Sequence, residues 1–324
     1  MILIYSKEDY EGTTEAVIDW LDYYGQPWAR VNGEDLLGPG NIRVELPAAT
    51  LRLNGQELTA EAVAAIWYRR GGKYKLGIPR TPAQLHAELT GYLRQESRVL
   101  RDSFPDFFPG AVHLDHPSRL EVNKLTVLQL ARQAGLQVPR TLVATCRADV
   151  LAFAAACGGA LIAKSIAESA DFMVDGAHYV LNTQSVDLPA LPETFFPTLF
   201  QEQLDKEYEL RVFCLQEEVY AMAIFSQLDE QTRVDFRNYN AARPNRVVPY
   251  QLPAEVAQPL LALLRTLGLT NGSADIVRTK AGAYVFLEVN PTGQFGMVSG
   301  PCNYHLEQRM AQFLSRQAHA VVPD

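Results

Sequence analysis

The sequence predicts an α/β region followed by α+β regions, on three observations. Residues 1–5 are a short apolar run suited to a buried strand, and residues 13–24 follow with Val17, Leu21 and Tyr24 on one helical face, a β-α start. Between residues 118 and 197 short helical and strand patterns alternate. From Thr198 onward, successive strands separated by tight turns suggest an antiparallel meander.

The elements follow in order. After a break at Gly25 and Pro27, residues 28–31 read as a second strand. Asn54-Gly55 between two strand-like runs is the strongest hairpin signal in the chain, because a two-residue turn needs positive φ at both central positions. Residues 66–68 form another apolar strand, which ends in a basic cluster. Residues 81–103 place Leu85, Leu89, Leu93 and Leu100 on an amphipathic helix, and the Pro-rich stretch 104–117 closes a first domain, residues 1–117. Ser118 is the expected cap of a helix that runs through Leu125, Leu128 and Leu130 to Gly135. Residues 141–144 read as a strand, 150–156 as a helix ended by Gly158-Gly159, 161–165 as a strand and 179–182 as its antiparallel neighbour. A linker at 188–197 ends this second domain, residues 118–197. The third, residues 198–324, contains strands at 198–202, 209–215 and 219–225, a helix at 252–267, strands at 273–278 and 283–290, and a terminal helix at 304–319.

Composition narrows the class. The 324 residues are 48% hydrophobic and 20% charged, an ordinary globular profile with ample material for a core. A net charge of −8 repels a phosphate backbone, which argues against nucleic acid as a partner. The small basic cluster Arg69, Arg70, Lys73 and Lys75 is too short for a nucleic-acid stripe and suffices for one or two carboxylates. Four cysteines without a CxxC pair argue against zinc and against a disulfide framework. No signal-like N-terminus and no apolar run of about 18 residues occur, so a cytoplasmic protein without a membrane partner is expected.

Three local patterns carry chemistry. In Tyr284-Val285-Phe286-Leu287-Glu288-Val289-Asn290-Pro291, strand alternation puts Glu288 and Asn290 on one face and Val285, Leu287 and Val289 on the other. Two oxygen-bearing residues whose Cα atoms lie about 6.6–6.8 Å apart, joined by Asp275, suit a hard cation such as Mg²⁺; the alternative is an edge strand with exposed polar residues. Lys164 sits inside the apolar strand Leu161-Ile162-Ala163 and Lys124 beside Asn123 at a helix start, so each is either a phosphate partner or a solvated surface lysine. Phe200-Gln201-Glu202-Gln203-Leu204 followed by Glu209-Leu210-Arg211 offers backbone groups to a base edge, a carboxylate to ribose hydroxyls and an arginine to phosphate; the alternative is a surface cross-strand salt bridge. His113-Leu114-Asp115-His116 reads as a solvated loop rather than a metal site.

In this order, Asn-Lys before a helix, a strand lysine, a hinge strand, Glu-x-Arg, then Asp and Glu-x-Asn-Pro resemble the ATP-grasp ligases from residue 118 to the C-terminus. Trp67-Tyr68-Arg69-Arg70, Asn123-Lys124 and Ser226-Gln227 with Asp235-Phe236-Arg237 resemble, within them, the graspetide synthetases of microviridin and grasp-with-spasm type. Those enzymes cyclise ribosomally made peptides by joining side chains. The resemblance implies an ATP-grasp fold: an N-terminal pre-ATP-grasp α/β domain (1–117), a central small lobe (118–197) and a C-terminal lobe with the metal site (198–324), the two α+β lobes clamping ATP. It assigns Lys124 and Lys164 to ATP phosphates, Gln201, Glu202, Gln203 and Leu204 to the adenine region, and Glu209 to ribose. Asp275, Glu288 and Asn290 become Mg²⁺ ligands, Arg211 and Arg237 the catalytic arginines, and Arg69, Arg70 and Lys73 the peptide-binding cluster. A precursor peptide with leader and acidic core is the implied partner, and a homo-oligomer the implied assembly. One departure stands out: residues 165–178 contain only Gly176, whereas many ATP-grasp enzymes cover the phosphates with a glycine-rich loop. An intermolecular carboxylate–amine ligase and a nucleotide-regulated binding module without catalysis are the competing readings.

Overall fold

The computed structural model describes residues 1–7, 11–33, 42–45, 50–53, 55–70, 82–167, 171–175, 177–180, 183–237 and 240–320. Lys73 and Lys75 of the basic cluster, Asn54 of the hairpin signal and Gly176 lie outside the described residues. Two compact units emerge: residues 1–121 with 268–271 and 294–324, and residues 122–267 with 272–293.

The first unit begins with β1 (Ile2–Ser6), α1 (Gly12–Tyr23) and β2 (Trp28–Asn32). All five residues of β1 are buried, as befits an inner strand of a parallel sheet covered on both faces. β3 (Ile42–Glu45), β4 (Thr50–Leu53) and β5 (Gln56–Thr59) form a separate antiparallel sheet, and β4 and β5 turn about Gly55 at φ +80°. β6 (Ala65–Tyr68) pairs in parallel with β1. α2 (Ala83–Ser103) has the expected extent but not the expected burial: Leu85 is 51% exposed, and among the described residues of the helix only Ser97 is buried. Packing falls instead on Phe104 and Phe108 just beyond it, both fully buried against Leu3, Tyr5 and Ile66.

The 104–117 stretch is more than a closing loop. It contains β7 (Val112–Leu114), which completes a parallel sheet of order β2-β1-β6-β7. The residues beyond β7 are not a solvated loop either. Asp115 is buried and accepts from the backbone N–H of Thr270 (2.9 Å) and Asn271 (3.2 Å) and from Asn271 Nδ2 (3.0 Å). Burial pushes the Asp115 carboxyl up in pKa, and those hydrogen bonds oppose it. Three strand residues between prolines are too few to show a period.

In the second unit the helix α3 (Lys124–Gln133) is capped by Asn123, whose Oδ1 accepts from the backbone N–H of Leu125 (2.9 Å) and Thr126 (3.1 Å). Ser118, the expected cap, instead bonds His116 Nδ1 at 2.8 Å, five residues too early. β8 (Thr141–Cys146), α4 (Arg147–Ala156), β9 (Leu161–Lys164), β12 (Gln184–Ser185) and β13 (Thr194–Glu202) build an antiparallel sheet of order β12-β9-β13-β8. Leu161, Phe200 and Ala144 pack with Val150 and Ala154 of α4 on one face.

Two expectations change here. β10 (Asp171–Val174) and β11 (Ala177–Val180) pair with each other, so β11 is not the neighbour of β9. Asp175 at φ +50°, followed by Gly176 in sequence, is the turn signal that ties them. The linker ends sooner than expected, because β13 starts at Thr194; its ladder with β8 shifts register between Thr194 and Thr198, where Pro197 has no N–H to donate.

β14 (Lys206–Leu215), β15 (Glu218–Phe225), β16 (Arg246–Tyr250), β17 (Asn271–Thr279) and β18 (Tyr284–Asn290) form the second large sheet, ordered β16-β15-β14-β17-β18, with α5 (Ala254–Leu267) between β16 and β17 in the chain. β16 escaped the sequence reading because it carries Pro249, which only an edge strand tolerates.

The final helices, α6 (Gly296–Cys302) and α7 (Leu306–Ala320), group with the first unit although the sequence division ran 198–324 together. α7 buries Leu306, Met310, Ala311 and Leu314 and packs on α1, β6 and β1, supplying the cover that a parallel sheet requires.

Arg69 is not part of an exposed cluster. It is 2% exposed, its Nη2 lies 3.3 Å from Glu11 Oε1, and its guanidinium sits 5.8 Å from the centre of the Phe295 ring. Glu11 caps α1, accepting from Thr14 N (2.8 Å) and Thr14 Oγ1 (2.7 Å). Burial alone would raise its pKa, but Arg69, the Thr14 hydrogen bonds and Arg70 outweigh burial and hold the carboxyl below its ordinary value. Its stabilising contribution is therefore complete above the unfolded carboxylate pKa of about 4.3 and is lost as pH falls through the lower folded value. Glu11→Gln should cost about 3–5 kcal/mol in urea unfolding at neutral pH and flatten the acid limb of the stability profile; an unchanged profile would show that the pair is idle.

Candidate active site

A cavity of about 590 Å³ lies within the second unit, lined by both of its large sheets. Its size suits a nucleotide-sized ligand. Ile162, Lys164 and Gln201 face it from β9 and β13, and Glu209, Asp275, Val277, Leu287 and Glu288 from β14, β17 and β18. The segment after β15 adds Gln227, Arg233, Val234, Asp235, Phe236 and Arg237.

One end of the cavity is dense in charge. Asp275 stands opposite Glu288 in the β17–β18 ladder, and Ser273 opposite Asn290. Between Asp275 and Ile276 the register shifts, which leaves Leu287 as an extra residue in β18. That bulge overturns the expected alternation: Leu287 lines the cavity beside Glu288 instead of packing away from it. Asn290 is not brought into the lining. It is exposed, and its Oδ1 accepts from the backbone N–H of Thr292 at 3.1 Å, a turn local to Pro291.

The cations are fixed by the same carboxylates. Arg211, buried in β14, donates through Nη1 to both oxygens of Asp275 at 2.9 Å, while its buried Nε has no hydrogen-bond partner. Arg237 grips Asp235 with Nε (2.9 Å) and Nη2 (2.7 Å), a bidentate fork that raises the pKa of Arg237. In Asp235, burial pushes the carboxyl up but the Arg237 hydrogen bonds and charge win, leaving it below its ordinary value. Glu288 lies 3.9 Å from Arg237 Nη1 and 4.0 Å from Lys124 Nζ. Lys124 also donates to Ala167 O (2.8 Å) and Ser165 O (3.4 Å). Lys164 has no hydrogen bond or ion pair within reach among the described residues, and burial lowers its pKa, with Glu288 pulling the other way.

Glu209 is buried, its Oε1 accepting from Ser226 Oγ (2.8 Å) and lying 3.1 Å from Lys206 Nζ. Burial raises its pKa against the pull of Lys206. Lys206, which also donates to Val234 O at 2.7 Å, was missed in the sequence; its spacing three residues before Glu209 was the available signal. At the other end of the cavity, Glu202 Oε1 accepts from the backbone N–H of Arg140 (2.8 Å), Gln203 donates its N–H to Ala160 O (3.0 Å), and Leu204 adds an apolar wall. Of the basic cluster in the first unit, Arg70 keeps a side chain 36% exposed, with Nε 3.8 Å from Glu11.

Residues 121–314 match the family model of the RimK-like ATP-grasp domain. The chain belongs to the RimK-like ATP-grasp family. As a whole, this family member is similar to a Chryseobacterium gregarium RiPP-associated ATP-grasp ligase solved in complex with ADP and a leader and core peptide. The identity is 24% and the TM-score 0.83, over 99% of this chain and 97% of that one. The macrocyclase MdnC of Microcystis aeruginosa MRC, bound with the precursor peptide MdnA, is 26% identical with a TM-score of 0.76, over 97% of this chain and 99% of that one. The ATP-grasp ligase PsnB, complexed with a phosphomimetic variant of a minimal precursor, Mg and ADP, is 20% identical with a TM-score of 0.77, over 98% of each chain. The ATP-grasp architecture is thus shared across the full length. No curated protein sequence matches the chain.

Gly293 has a steric role beside this site. A Cβ there would overlap the Ser273 side chain and lie 2.9 Å from Arg211 Nη2. Gly293→Ala should destabilise the chain by about 1–3 kcal/mol in chemical denaturation, and wild-type stability of the variant would refute the close approach.

Proposed function

We propose that the chain is an ATP-dependent peptide macrocyclase of graspetide type. It activates Asp or Glu side-chain carboxylates of a ribosomally made precursor as acyl phosphates and joins them to Thr or Ser hydroxyls or to Lys amines. The observation that carries this reading is the charged end of the cavity, where Lys164 and Arg237 line it with the opposed carboxylates Asp275 and Glu288, and Arg211, outside the lining, is bonded to Asp275. Fixed cations beside two hard oxygen donors suit a polyphosphate with its divalent metal. Family membership and similarity to ligases solved with precursor peptides support the same assignment.

The residues fit Mg²⁺. Opposed residues of an antiparallel pair have Cβ atoms about 4.5–5.5 Å apart, and Asp275 and Glu288 occupy such a pair, both at the cavity. Among the described residues no group of three His, Cys, Asp or Glu gathers. A site of two carboxylates completed by water and phosphate oxygens matches the ordinary habit of this ion. When bound, Mg²⁺ neutralises charge on the phosphoryl oxygens.

In this reading Lys124 and Lys164 hold the phosphates. Glu209 keeps Oε2 for a ribose hydroxyl, since Oε1 is engaged by Ser226 and Lys206. Gln201, Glu202, Gln203 and Leu204 frame the base, and because the Gln203 N–H is already donated, the base edge meets the Gln203 carbonyl and the Leu204 N–H. A carboxylate cannot expel oxide, so the γ-phosphoryl group of ATP moves to a peptide carboxylate oxygen, breaking the bond to ADP. Arg211, aimed by Asp275, and Arg237, aimed by Asp235, stabilise the charge that spreads during transfer. A hydroxyl or amine then attacks the acyl carbon, phosphate leaves with the former carboxylate oxygen, and the nucleophile loses its proton.

The division of labour follows the three regions, 1–117 as pre-ATP-grasp domain and 118–197 and 198–324 as the nucleotide lobes, with 294–324 serving the packing of the first. With Arg69 enclosed by Glu11, Arg70 is the described member of the basic cluster left to meet an acidic peptide. No described helix is long and apolar enough to cross a membrane. The cytoplasm, where a ribosomal precursor is made, and a homo-oligomeric assembly complete the proposal.

Mixed with its precursor and ATP, the enzyme should release ADP and phosphate only when peptide is present, and mass spectrometry should show the peptide lighter by one water per link; a peptide gaining mass would favour the intermolecular ligase. Arg211→Ala should lower kcat about 10²–10³-fold with a smaller change in ADP affinity. Because phosphate favours the ammonium form of Lys164, ADP affinity should be full at low pH and decline from a pH below the usual lysine range as Lys164 deprotonates. Calorimetric titration of Lys164→Arg should lack that decline, and its persistence would move the titrating group elsewhere.

A further inference from the structure

The segment that carries Asp235 and Arg237 belongs to no helix or strand: residues 229–237 follow β15 and one short helical turn as irregular backbone. Carbonyl groups outside a ladder still need donors, and here side chains supply them. Gln227 Nε2 donates to the Arg233 carbonyl oxygen at 3.1 Å, and Lys206 Nζ donates to the Val234 carbonyl oxygen at 2.7 Å. One residue earlier, Thr232 Oγ1 donates to the Ser226 carbonyl oxygen at 2.8 Å. These grips end immediately before Asp235, the carboxylate that holds Arg237.

The grips of Lys206 and Gln227 lead back to one atom. Lys206 Nζ lies 3.1 Å from Glu209 Oε1. Gln227 directs its other amide hydrogen to Ser226 Oγ at 3.0 Å, and Ser226 Oγ gives its own hydrogen to Glu209 Oε1 at 2.8 Å. A hydroxyl whose one hydrogen is given away can only accept from a second neighbour, so the NH₂ end of Gln227 must face Ser226 and the Arg233 carbonyl. Ser226 and Glu209 are buried, which keeps water from competing for these bonds.

We propose that Lys206 and Gln227 are positioning residues for phosphoryl transfer: anchored on Glu209, they hold the backbone at 233–234 so that Arg237 faces the terminal phosphate. Both act through carbonyl groups of the segment rather than by bonding Arg237. Arg237 itself lines the cavity with its side chain 47% exposed, open to an occupant. The inference rests on the nucleotide reading of the cavity given above. It adds that the carboxylate assigned to ribose also sets the arginine assigned to transfer.

The test compares ADP with the non-hydrolysable ATP analogue AMPPNP by calorimetric titration of the full chain with Mg²⁺ and no peptide. The ratio of the two affinities isolates the terminal phosphate, because a change at base or ribose affects both ligands alike. Arg237→Ala should lower the AMPPNP preference at least about fivefold. Lys206→Met should lower it at least about threefold through misplacement of Arg237, and so should Gln227→Met, a substitution at a partly exposed position that gives the same answer should Lys206→Met not fold. Adding Lys206→Met or Gln227→Met to Arg237→Ala should change the ratio no further, since a positioning residue has no effect once the group it positions is gone. An unchanged ratio in either folded single variant or in Arg237→Ala, or additive losses in the double variants, would overturn the inference and leave the nucleotide site standing. Absence of binding by both nucleotides to folded wild type would overturn the nucleotide reading and this inference with it.

Discussion

The Arg211–Asp275 pair and the charges beside it depend on one constraint: an ion removed from water must keep a partner. At 4 Å two unit charges interact by about 4 kcal/mol at an effective dielectric of 20, enough to hold a side chain in one orientation and too little to repay burial of a lone ion. Each charged group at this end of the cavity therefore has its counterpart: Arg211 with Asp275, Arg237 with Asp235, Glu209 with Lys206, and Glu288 within 4.0 Å of both Arg237 and Lys124. Among the described residues Lys164 is the exception, with its pKa lowered by burial. An ammonium group of that kind is what the proposed phosphate site needs.

The sheet frameworks make this arrangement possible. Asp275 and Glu288 meet because β17 and β18 pair in a register that a bulge at Leu287 resets, and Arg211 reaches Asp275 from the adjoining strand β14. The first unit solves a different problem, covering a parallel sheet on both faces. It does so by bringing back the last helix, α7, against α1 and β1, and it neutralises its own buried arginine with the cap of α1, Glu11.

Much of this was legible in the sequence where a local pattern determines local structure. The β-α start and the hairpin of β14 and β15 follow from period and spacing alone. β13, read with them as one meander, pairs instead with β8 and β9 in the other sheet. The grouping of Lys164, Gln201, Glu209, Arg211, Arg237, Asp275 and Glu288 came from the order of motifs that resembles the ATP-grasp ligases. What could not be read depends on partners far along the chain. The three residues of β7 are a strand only because β6 lies beside them. Arg69 looked like a surface cation because Glu11 is 58 residues away. The extra residue at Leu287 is invisible in a strand read singly, since a bulge is a property of two strands. Asn290 shares the face of Glu288 by count, yet its amide is taken by the turn at Thr292.

The central claim is that the charged end of the cavity passes a phosphoryl group to a peptide carboxylate. The most direct measurement supplies a precursor whose Asp and Glu side-chain carboxylates carry heavy oxygen and follows the label by mass spectrometry of the released phosphate. Transfer from ATP to the carboxylate places one labelled oxygen in each phosphate ion formed per crosslink. Unlabelled phosphate accompanying crosslinked peptide, or label recovered in a nucleotide monophosphate, would contradict it.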